Sequence, residues 1–241
     1  MELLNLTLDI GNSFVKLGSF VGSKLVESKR FPLDALQELV DYLQRSDIEA
    51  LALCKVRQIP TPLQALLAKS TFPCLEVDTL TPNAPIICAY EKPEELGSDR
   101  WVAAVAAWKQ HSHRPLLVVD IGTCLTIDFV SAEGRFEGGI ISPGVAMRLL
   151  AMHQHTGALP EVTLDGAIDL LPRNSQTAMR TGVMRGMKYE IEGWAQHYAA
   201  HYPHLMVVLT GGGFDDLHLE IDCEHSYDAQ LVLRGLNTFI Q

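Results

Sequence analysis

The sequence predicts an α/β protein built from two similar halves. The first indication is a repeated segment, in which a β-favouring apolar run ends in Asp-Ile-Gly and a small polar residue before a second apolar run begins. It reads TLDIGNSFVKLGSF at residues 7–20 and VVDIGTCLTIDF at residues 118–129. The second indication is that apolar strands alternate with helical patterns along the chain. A chain of 241 residues accommodates two modest domains, which we predict at 1–114 and 115–241.

The first half is predicted to be a hairpin followed by alternating helices and strands. Apolar residues three or four positions apart indicate the helices, and short β-rich runs indicate the strands. Ser98 or Asp99 is expected to cap the last helix, whose alanines permit close packing. The predicted elements are strands at 3–8 and 14–20, a helix at 33–45, strands at about 49–56 and 74–77 with a short helix near Pro62 between them, and a helix in LGSDRWVAAVAAWKQ.

The second half repeats the hairpin series and adds longer helices. The run PLLVVDIG is continuously apolar, which suits a strand buried on both faces. One face of the helix predicted at 174–201 is apolar and either packs in the core or contributes to a subunit interface; it comprises Met179, Val183, Met187 and Ile191. The remaining predicted elements are strands near 125–130 and 136–142, a helix at about 144–156, a buried strand in LMVVLTGGG and a last helix at about 228–240.

Composition and charge exclude several classes of function. The formal net charge of -10 and the lack of a clustered Lys/Arg surface argue against nucleic-acid binding. The five cysteines are scattered and include no C-x-x-C pair, which is typical of reduced cytosolic thiols rather than of a zinc or disulfide framework. No apolar run reaches the length of a membrane span. We therefore expect a soluble, cytoplasmic protein without membrane partners.

The repeated acidic turns have the chemistry of a phosphate-binding site. Glycine allows close approach of the backbone, the small polar residue donates hydrogen bonds, and the aspartate can hold a hydrated cation. A third glycine-rich segment, residues 210–213, follows a buried strand but matches neither the Rossmann nor the Walker pattern. Each segment taken alone is also compatible with an ordinary turn. Lys16 either reaches a phosphate or faces solvent.

Three phosphate-type sites in this order resemble the actin, Hsp70 and sugar-kinase superfamily, in which two RNase H-like halves bind ATP between them. Five segments together sharpen the resemblance to the type III pantothenate kinase family. They are AYEKPEELGSDR at 89–100, VVDIGTCLTIDF at 118–129, GGIISPG at 138–144, RNSQTAMRTG at 173–182 and TGGG at 210–213. The resemblance extends from Asp9 to Gly213 and implies two RNase H-like domains with an ATP cleft between them.

The resemblance also implies an activity and its cofactors. Members of this family phosphorylate pantothenate to 4'-phosphopantothenate with ATP, the first step of coenzyme A biosynthesis. The cofactors would be Mg²⁺ with ATP and a monovalent cation, K⁺ or NH₄⁺. The family further implies a homodimer in which the pantothenate pocket is completed near the subunit interface.

By the same resemblance, Asp99 is the catalytic base, and Arg100 offers a planar donor fork suited to the carboxylate of pantothenate. The alternatives for these residues are a helix cap and a surface ion pair. The residues implied for ATP are Asp9, Ile10, Gly11, Asn12, Ser13, Phe14, Val15, Lys16, Thr123, Gly211 and Gly212; those implied for pantothenate are Tyr90, Gly97, Ser98, Asp99, Arg100 and Ser175; and those implied for metals are Asp120 for the monovalent cation and Asp9 for Mg²⁺ through water.

Two positions depart from the family pattern. Cys124 replaces an alanine in the second turn, and Ser175 replaces a threonine that contacts pantothenate, with Thr177 as a possible substitute. Two other functions stay open: a kinase of the same superfamily that acts on a different small alcohol, and a non-catalytic regulator that binds nucleotide or pantothenate. A regulator needs no base at Asp99, so this residue favours an enzyme.

Overall fold

The computed structural model describes residues 3–213 and 217–241, and it has the predicted α/β architecture with two sheets. The chain divides into two compact units. The first comprises Met1–Ser112, Gly134–Glu137 and Gln230–Gln241, and the second comprises His113–Glu133 and Gly138–Ala229. The division into RNase H-like domains at 1–114 and 115–241 stays a proposal. In the described ranges, no helix combines the length and apolarity of a membrane span.

The first unit contains a five-stranded sheet. Its strands are β1 (Leu4–Ile10), β2 (Phe14–Val21), β3 (Lys24–Pro32), β4 (Ile48–Lys55) and β5 (Cys74–Glu76). Their order in the sheet is β3-β2-β1-β4-β5. The first three strands form an antiparallel meander, and β4 and β5 continue from β1 in parallel. All seven residues of the central strand β1 are buried, whereas the edge strand β3 alternates between exposed and half-buried side chains except at Phe31, which is buried.

The first and last helices of the first unit are shorter than their apolar patterns predict. The helix expected at 33–45 is only α1 (Gln37–Tyr42), although Leu36 and Leu43 outside it are buried with Leu39. The apolar spacing therefore reported a buried face and not the length of the helix. The other helices are α2 (Thr61–Leu67), α3 (Ser98–Gln110) and, after the second unit, α6 (Leu231–Asn237).

Close packing of α3 against α6 brings the C-terminal segment into the first unit. Every residue of α3 from Arg100 to Trp108 is buried, and four of them are alanines, as the sequence predicted. A Cβ atom at Gly235 of α6 would lie 2.2 Å from the backbone oxygen of Val102. Only glycine fits so short an approach, so this contact fixes the two helices against each other.

The strands that follow along the chain are β6 (Ile87–Cys88), β7 (Leu116–Ile121), β8 (Cys124–Val130), β9 (Arg135–Pro143), β10 (Met206–Gly211) and β11 (His225–Tyr227). The second unit contains β7, β8, β10, β11 and most of β9, in the order β11-β10-β7-β8-β9. Strands β7 and β8 form an antiparallel hairpin, while β10 is parallel to β7. The first residues of β9 belong to the first unit, where they pair with β6.

Two helices of the second unit, α4 (Val145–Gln154) and α5 (Ser175–His201), pack against each other. On α5, Met187 and Ile191 lie in the core of the sheet, and Met179 and Val183 form a second cluster with Leu149 of α4. All four are buried in a single chain. The apolar face of α5 is therefore intramolecular core, the first of the two alternatives stated from the sequence.

Candidate active site

The first acidic turn joins β1 to β2, as the sequence predicted. The amide of Gly11 donates to the carbonyl oxygen of Phe14 at 3.0 Å and closes the turn. Asp9 is the cross-strand partner of Lys16, and its Oδ2 lies 3.3 Å from the Lys16 Nζ. Asp9 is only 7% exposed, whereas Asn12 next to the turn is exposed. The turn therefore presents polar atoms to solvent around an aspartate that is itself almost buried.

Strand β4 brings a cysteine to this aspartate. Cys54 pairs with Asp9 in the parallel register, and its thiol donates to the Asp9 Oδ1 across 3.8 Å. Burial raises the pKa of the Cys54 thiol well above its usual value, and the carboxylates of Asp9 and Asp99 raise it further. The sulfur therefore stays protonated and acts as a donor. From the sequence, the cysteines were expected to be core or bystander residues; Cys54 lies in the core, and no local pattern indicated its contact with Asp9.

The start of α3 differs from the predicted cap. The N-cap residue is Gly97, and no side chain caps the helix. Ser98 Oγ instead accepts from the backbone N–H of Lys55 at 3.1 Å and donates to the Lys55 carbonyl at 2.9 Å. Asp99 Oδ1 accepts from the backbone amide of Arg100 at 2.8 Å. The predicted cap was wrong because Ser98 fastens the helix start to the end of β4 instead.

Asp99 lies in an environment that favours a proton acceptor. Burial raises the pKa of its carboxyl group, and the negative charge of Asp9 raises it as well. The Arg100 amide and guanidinium oppose this change without cancelling it. A carboxylate with a raised pKa is a stronger base than an exposed aspartate.

Arg100 and Tyr90 come together beside a second aromatic ring, that of Phe136. The Arg100 guanidinium lies 6.0 Å from the ring centroids of both Tyr90 and Phe136, and the two rings meet edge to face at 6.2 Å. Arg100 is only 7% exposed. The alternative that Arg100 forms a surface ion pair is therefore wrong. A largely buried guanidinium held beside aromatic rings is suited to bind a carboxylate.

The second acidic turn is also the turn of a hairpin, one residue shorter than the first. It joins β7 to β8, and the Gly122 amide donates to the carbonyl of Cys124 at 3.0 Å. Asp120 is the cross-strand partner of Thr126, just as Asp9 is of Lys16. The repeated segments of the sequence are therefore repeated hairpins, each with an aspartate at the same place before its turn.

The glycine-rich segment at 210–213 lies beside the second turn. In the parallel pairing of β10 with β7, Thr210 is opposite Asp120 and Gly211 is opposite Ile121. Gly211 has a φ of +93°, and a Cβ atom there would lie 2.6 Å from the Asp120 Oδ1 and 2.4 Å from the Ile121 carbonyl oxygen. Gly211 is therefore required by its backbone conformation and by the approach of Asp120. A flexible turn does not describe it.

The two alternatives for a hydroxyl that contacts pantothenate, Ser175 and Thr177, lie at the start of α5. The side chain of Asn174 is the N-cap and accepts from the Thr177 backbone amide at 2.9 Å. Ser175 is exposed, whereas Thr177 is buried. Each hydroxyl therefore has a different environment, although the two residues share one helical turn.

Comparison with known proteins places the chain in a family. The family model described as type III pantothenate kinase matches residues 5–197. The type III pantothenate kinase of Bacteroides fragilis is 38% identical over 237 residues, which are 98% of this chain and 97% of that protein. The enzyme of the same name from Phocaeicola vulgatus is 37% identical over 238 residues, covering 98% of both.

Solved structures support the fold. A Baf family protein from Campylobacter jejuni has a TM-score of 0.63 at 22% identity and covers 98% of this chain and 96% of its own. The activator of 2-hydroxyisocaproyl-CoA dehydratase from Clostridium difficile, with bound ADPNP, has a TM-score of 0.56 at 12% identity, covering 98% of this chain and 94% of its own. These likenesses extend over nearly the whole chain. They support the fold alone, whereas the family match and the sequence identities show that the chain belongs to the type III pantothenate kinase family.

Proposed function

We propose that this protein transfers the γ-phosphoryl group of ATP to the 4'-hydroxyl of pantothenate, the first step of coenzyme A biosynthesis. The observation that carries the proposal is the environment of Asp99. Its carboxyl group is half-buried, its pKa is raised, and it precedes Arg100, which lies beside Tyr90. A base and a carboxylate-binding group on adjacent residues suit an acceptor that has both a hydroxyl and a carboxylate.

In the reaction, Asp99 accepts the hydroxyl proton as the hydroxyl oxygen attacks the γ-phosphorus. The bond from that phosphorus to the β,γ-bridging oxygen breaks, and ADP leaves. Arg100 binds the carboxylate of pantothenate, and Tyr90 contacts the substrate beside it. Phosphoryl transfer depends mainly on alignment and on neutralised phosphate charge, so the principal task of these residues is to hold the acceptor in line.

ATP would be held by the two acidic turns and by the glycine segment. The first turn contributes residues 9–16, the second contributes Thr123, and the glycine segment contributes Gly211 and Gly212. Exposed backbone amides at such turns bind phosphate oxygens, and Lys16 adds a positive charge. In the structure Lys16 pairs with Asp9, so binding of ATP would exchange this partner for a phosphate oxygen.

The carboxylates of the two turns fit two cations. The Asp9 Oδ1 accepts from the Cys54 thiol, and the Oδ2 that Lys16 would release when ATP binds would contact Mg²⁺ through water. Asp120 would bind K⁺ or NH₄⁺ beside the second turn. When bound, the cations offset the negative charge of the triphosphate.

We also propose a cytoplasmic homodimer without nucleic-acid or membrane partners. Its basis is the family resemblance, together with exposed apolar side chains between α4 and α5 that suit a protein interface. They are Leu164, Ile168, Leu170 and Leu171. Light scattering on the purified protein measures this state directly, and a monomer at micromolar concentration would contradict it.

The function is tested with purified protein, Mg²⁺-ATP and pantothenate, in parallel reactions that contain K⁺ or Na⁺. The expected result is ADP release together with a product heavier by one phosphoryl group, faster with K⁺. Turnover of a sugar without turnover of pantothenate would identify a different kinase of the superfamily. Binding of ATP or pantothenate without any turnover would instead identify a regulator.

A further inference from the structure

Arg148, in the first turn of α4, connects three elements of the second unit. Its Nε donates to the carbonyl oxygen of Pro143 at 2.6 Å, and its Nη2 donates to the Ser142 Oγ at 3.0 Å. The same nitrogen pairs with a carboxylate oxygen of Glu190, which lies on α5. Glu190 closes the arrangement by accepting from the Ser142 hydroxyl at 2.7 Å. One guanidinium thus binds the end of β9 and the middle of α5.

The residues held by Arg148 support the second acidic turn, which joins β7 to β8. Because this turn is proposed to bind ATP, we call it the second phosphate turn from here on. We call residues 142–144 the support segment. The amide of Gly144 donates to the carbonyl oxygen of Thr123 at 3.0 Å. A Cβ atom at Gly144 would lie 2.3 Å from the Thr123 carbonyl oxygen and 2.4 Å from that of Gly122. The support segment therefore touches the backbone of the turn with no room for a side chain.

A second contact connects the same helical turn to the phosphate turn. The thiol of Cys124 lies 3.9 Å from the sulfur of Met147, the residue that precedes Arg148. Movement of the first turn of α4 would therefore displace the phosphate turn at two adjacent residues. The departure from the family pattern at Cys124 falls at this contact.

We infer that Arg148, held by Glu190, is a positioning residue that fixes the second phosphate turn for ATP through the support segment. The inference rests on the proposed function, in which Thr123 binds ATP. An apolar cluster around Leu149 already packs α4 on α5, but apolar contacts are not directional. The forked donor of arginine adds direction, because it holds two positions of the support segment and one carboxylate at once.

The inference assigns a specific kinetic signature to this pair. In Arg148→Ala, the turn loses its support while Arg100 and Tyr90, in the first unit, keep their contacts. We expect kcat/KM for ATP to fall by about tenfold or more, the scale of a small misplacement near reacting groups, and KM for pantothenate to change by less than about twofold. Arg148→Lys keeps the charge but not the fork and should lie between wild type and Arg148→Ala.

A double-mutant cycle tests whether Arg148 and Glu190 act together. Glutamine keeps an oxygen that can accept from Ser142 and removes only the charge that pairs with Arg148, so Glu190→Gln should add little to Arg148→Ala. Glu224→Gln is the matched control, since it also removes an ion pair of the second unit, between Glu224 and Arg114. The carboxylate of Glu224 is largely exposed. The control should leave both substrate constants unchanged. Additive effects of Arg148→Ala and Glu190→Gln would overturn the joint role.

Thr123→Ala separates this inference from the proposed function. If this variant weakens ATP use and folded Arg148→Ala does not, the positioning role is wrong and the function stands. If neither variant changes the constants for ATP, the assignment of the turn fails and the inference fails with it. If only Arg148→Ala has an effect, Arg148 does not act through Thr123, which also overturns the inference. A lowered melting temperature with unchanged constants would show a structural role alone.

Discussion

Replacing Asp99 by asparagine tests the catalytic assignment most directly. Asparagine has nearly the same shape, and its Oδ1 can still accept from the Arg100 amide, which Asp99 does at 2.8 Å. The substitution removes only the charge and the ability to accept a proton. Loss of a general base lowers turnover by about 10² to 10⁴, which corresponds to about 2.7 to 5.4 kcal/mol in the activation free energy.

The same substitution should not destabilise the fold. Burial and the neighbouring charge of Asp9 raise the pKa of Asp99, so its ionised form is disfavoured in the folded protein. Between the unfolded pKa of about 4 and the raised folded pKa, the folded state binds more protons, and the stability contribution of Asp99 falls as pH rises. Asparagine removes this penalty. At neutral pH the melting temperature of Asp99→Asn should therefore equal or exceed that of wild type.

Two measurements on one preparation decide between the alternatives. Steady-state ADP release gives kcat, and thermal unfolding followed by circular dichroism gives the melting temperature. We expect kcat to fall at least about 100-fold with no loss of thermal stability and little change in ATP binding. Normal turnover would refute the role as base. A parallel loss of activity and stability would show that Asp99 is mainly structural.

Three further predictions concern other parts of the molecule. Asp47→Asn should lower the free energy of unfolding at neutral pH by about 1 kcal/mol or less without changing kcat. The hydrogen-bonded Arg45 lowers the pKa of Asp47, but the Arg45 side chain is 39% exposed, so solvent screens the pair. Denaturant titrations should show the difference in stability above about pH 4 and its loss as the pH falls through the lowered pKa. Exposed Cys74 should react with iodoacetamide in the native protein and buried Cys54 only after unfolding, as measured by peptide mass spectrometry, and early labelling of Cys54 would contradict the described burial. Gly144→Ala should raise KM for ATP by about tenfold, because its methyl group would overlap the backbone of the second phosphate turn; an unchanged KM in steady-state assays would show that the turn tolerates displacement.

The sequence alone was sufficient where structure follows from local periodicity. The buried strand before the first acidic turn, its hairpin turn, and the equivalent hairpin after Asp120 were all predicted, because apolar runs and glycine turns act over a few residues. The long helix α5 was predicted to within one residue of its start, where Asn174 is the cap. The family resemblance added candidate roles for residues such as Asp99.

Local patterns failed where neighbours in space decide the outcome. Strand β3 was not predicted, because its charged edge-strand sequence does not resemble a buried strand. The helix predicted at 33–45 was too long, since leucines outside α1 are buried without being helical. The capping role expected of Ser98 was wrong because β4 supplies a different partner, Lys55.

Only the tertiary structure decided which distant residues share an environment. Parallel pairing of β4 with β1 brings Cys54 to Asp9, and pairing of β10 with β7 brings Gly211 to Asp120. The Arg148–Glu190 pair joins side chains 42 positions apart. Sequence determines which residues can form strands, helices and turns, because those choices depend on near neighbours. Strand register and helix packing then determine the electrostatic partners of each side chain, since charges interact through space whatever their separation along the chain.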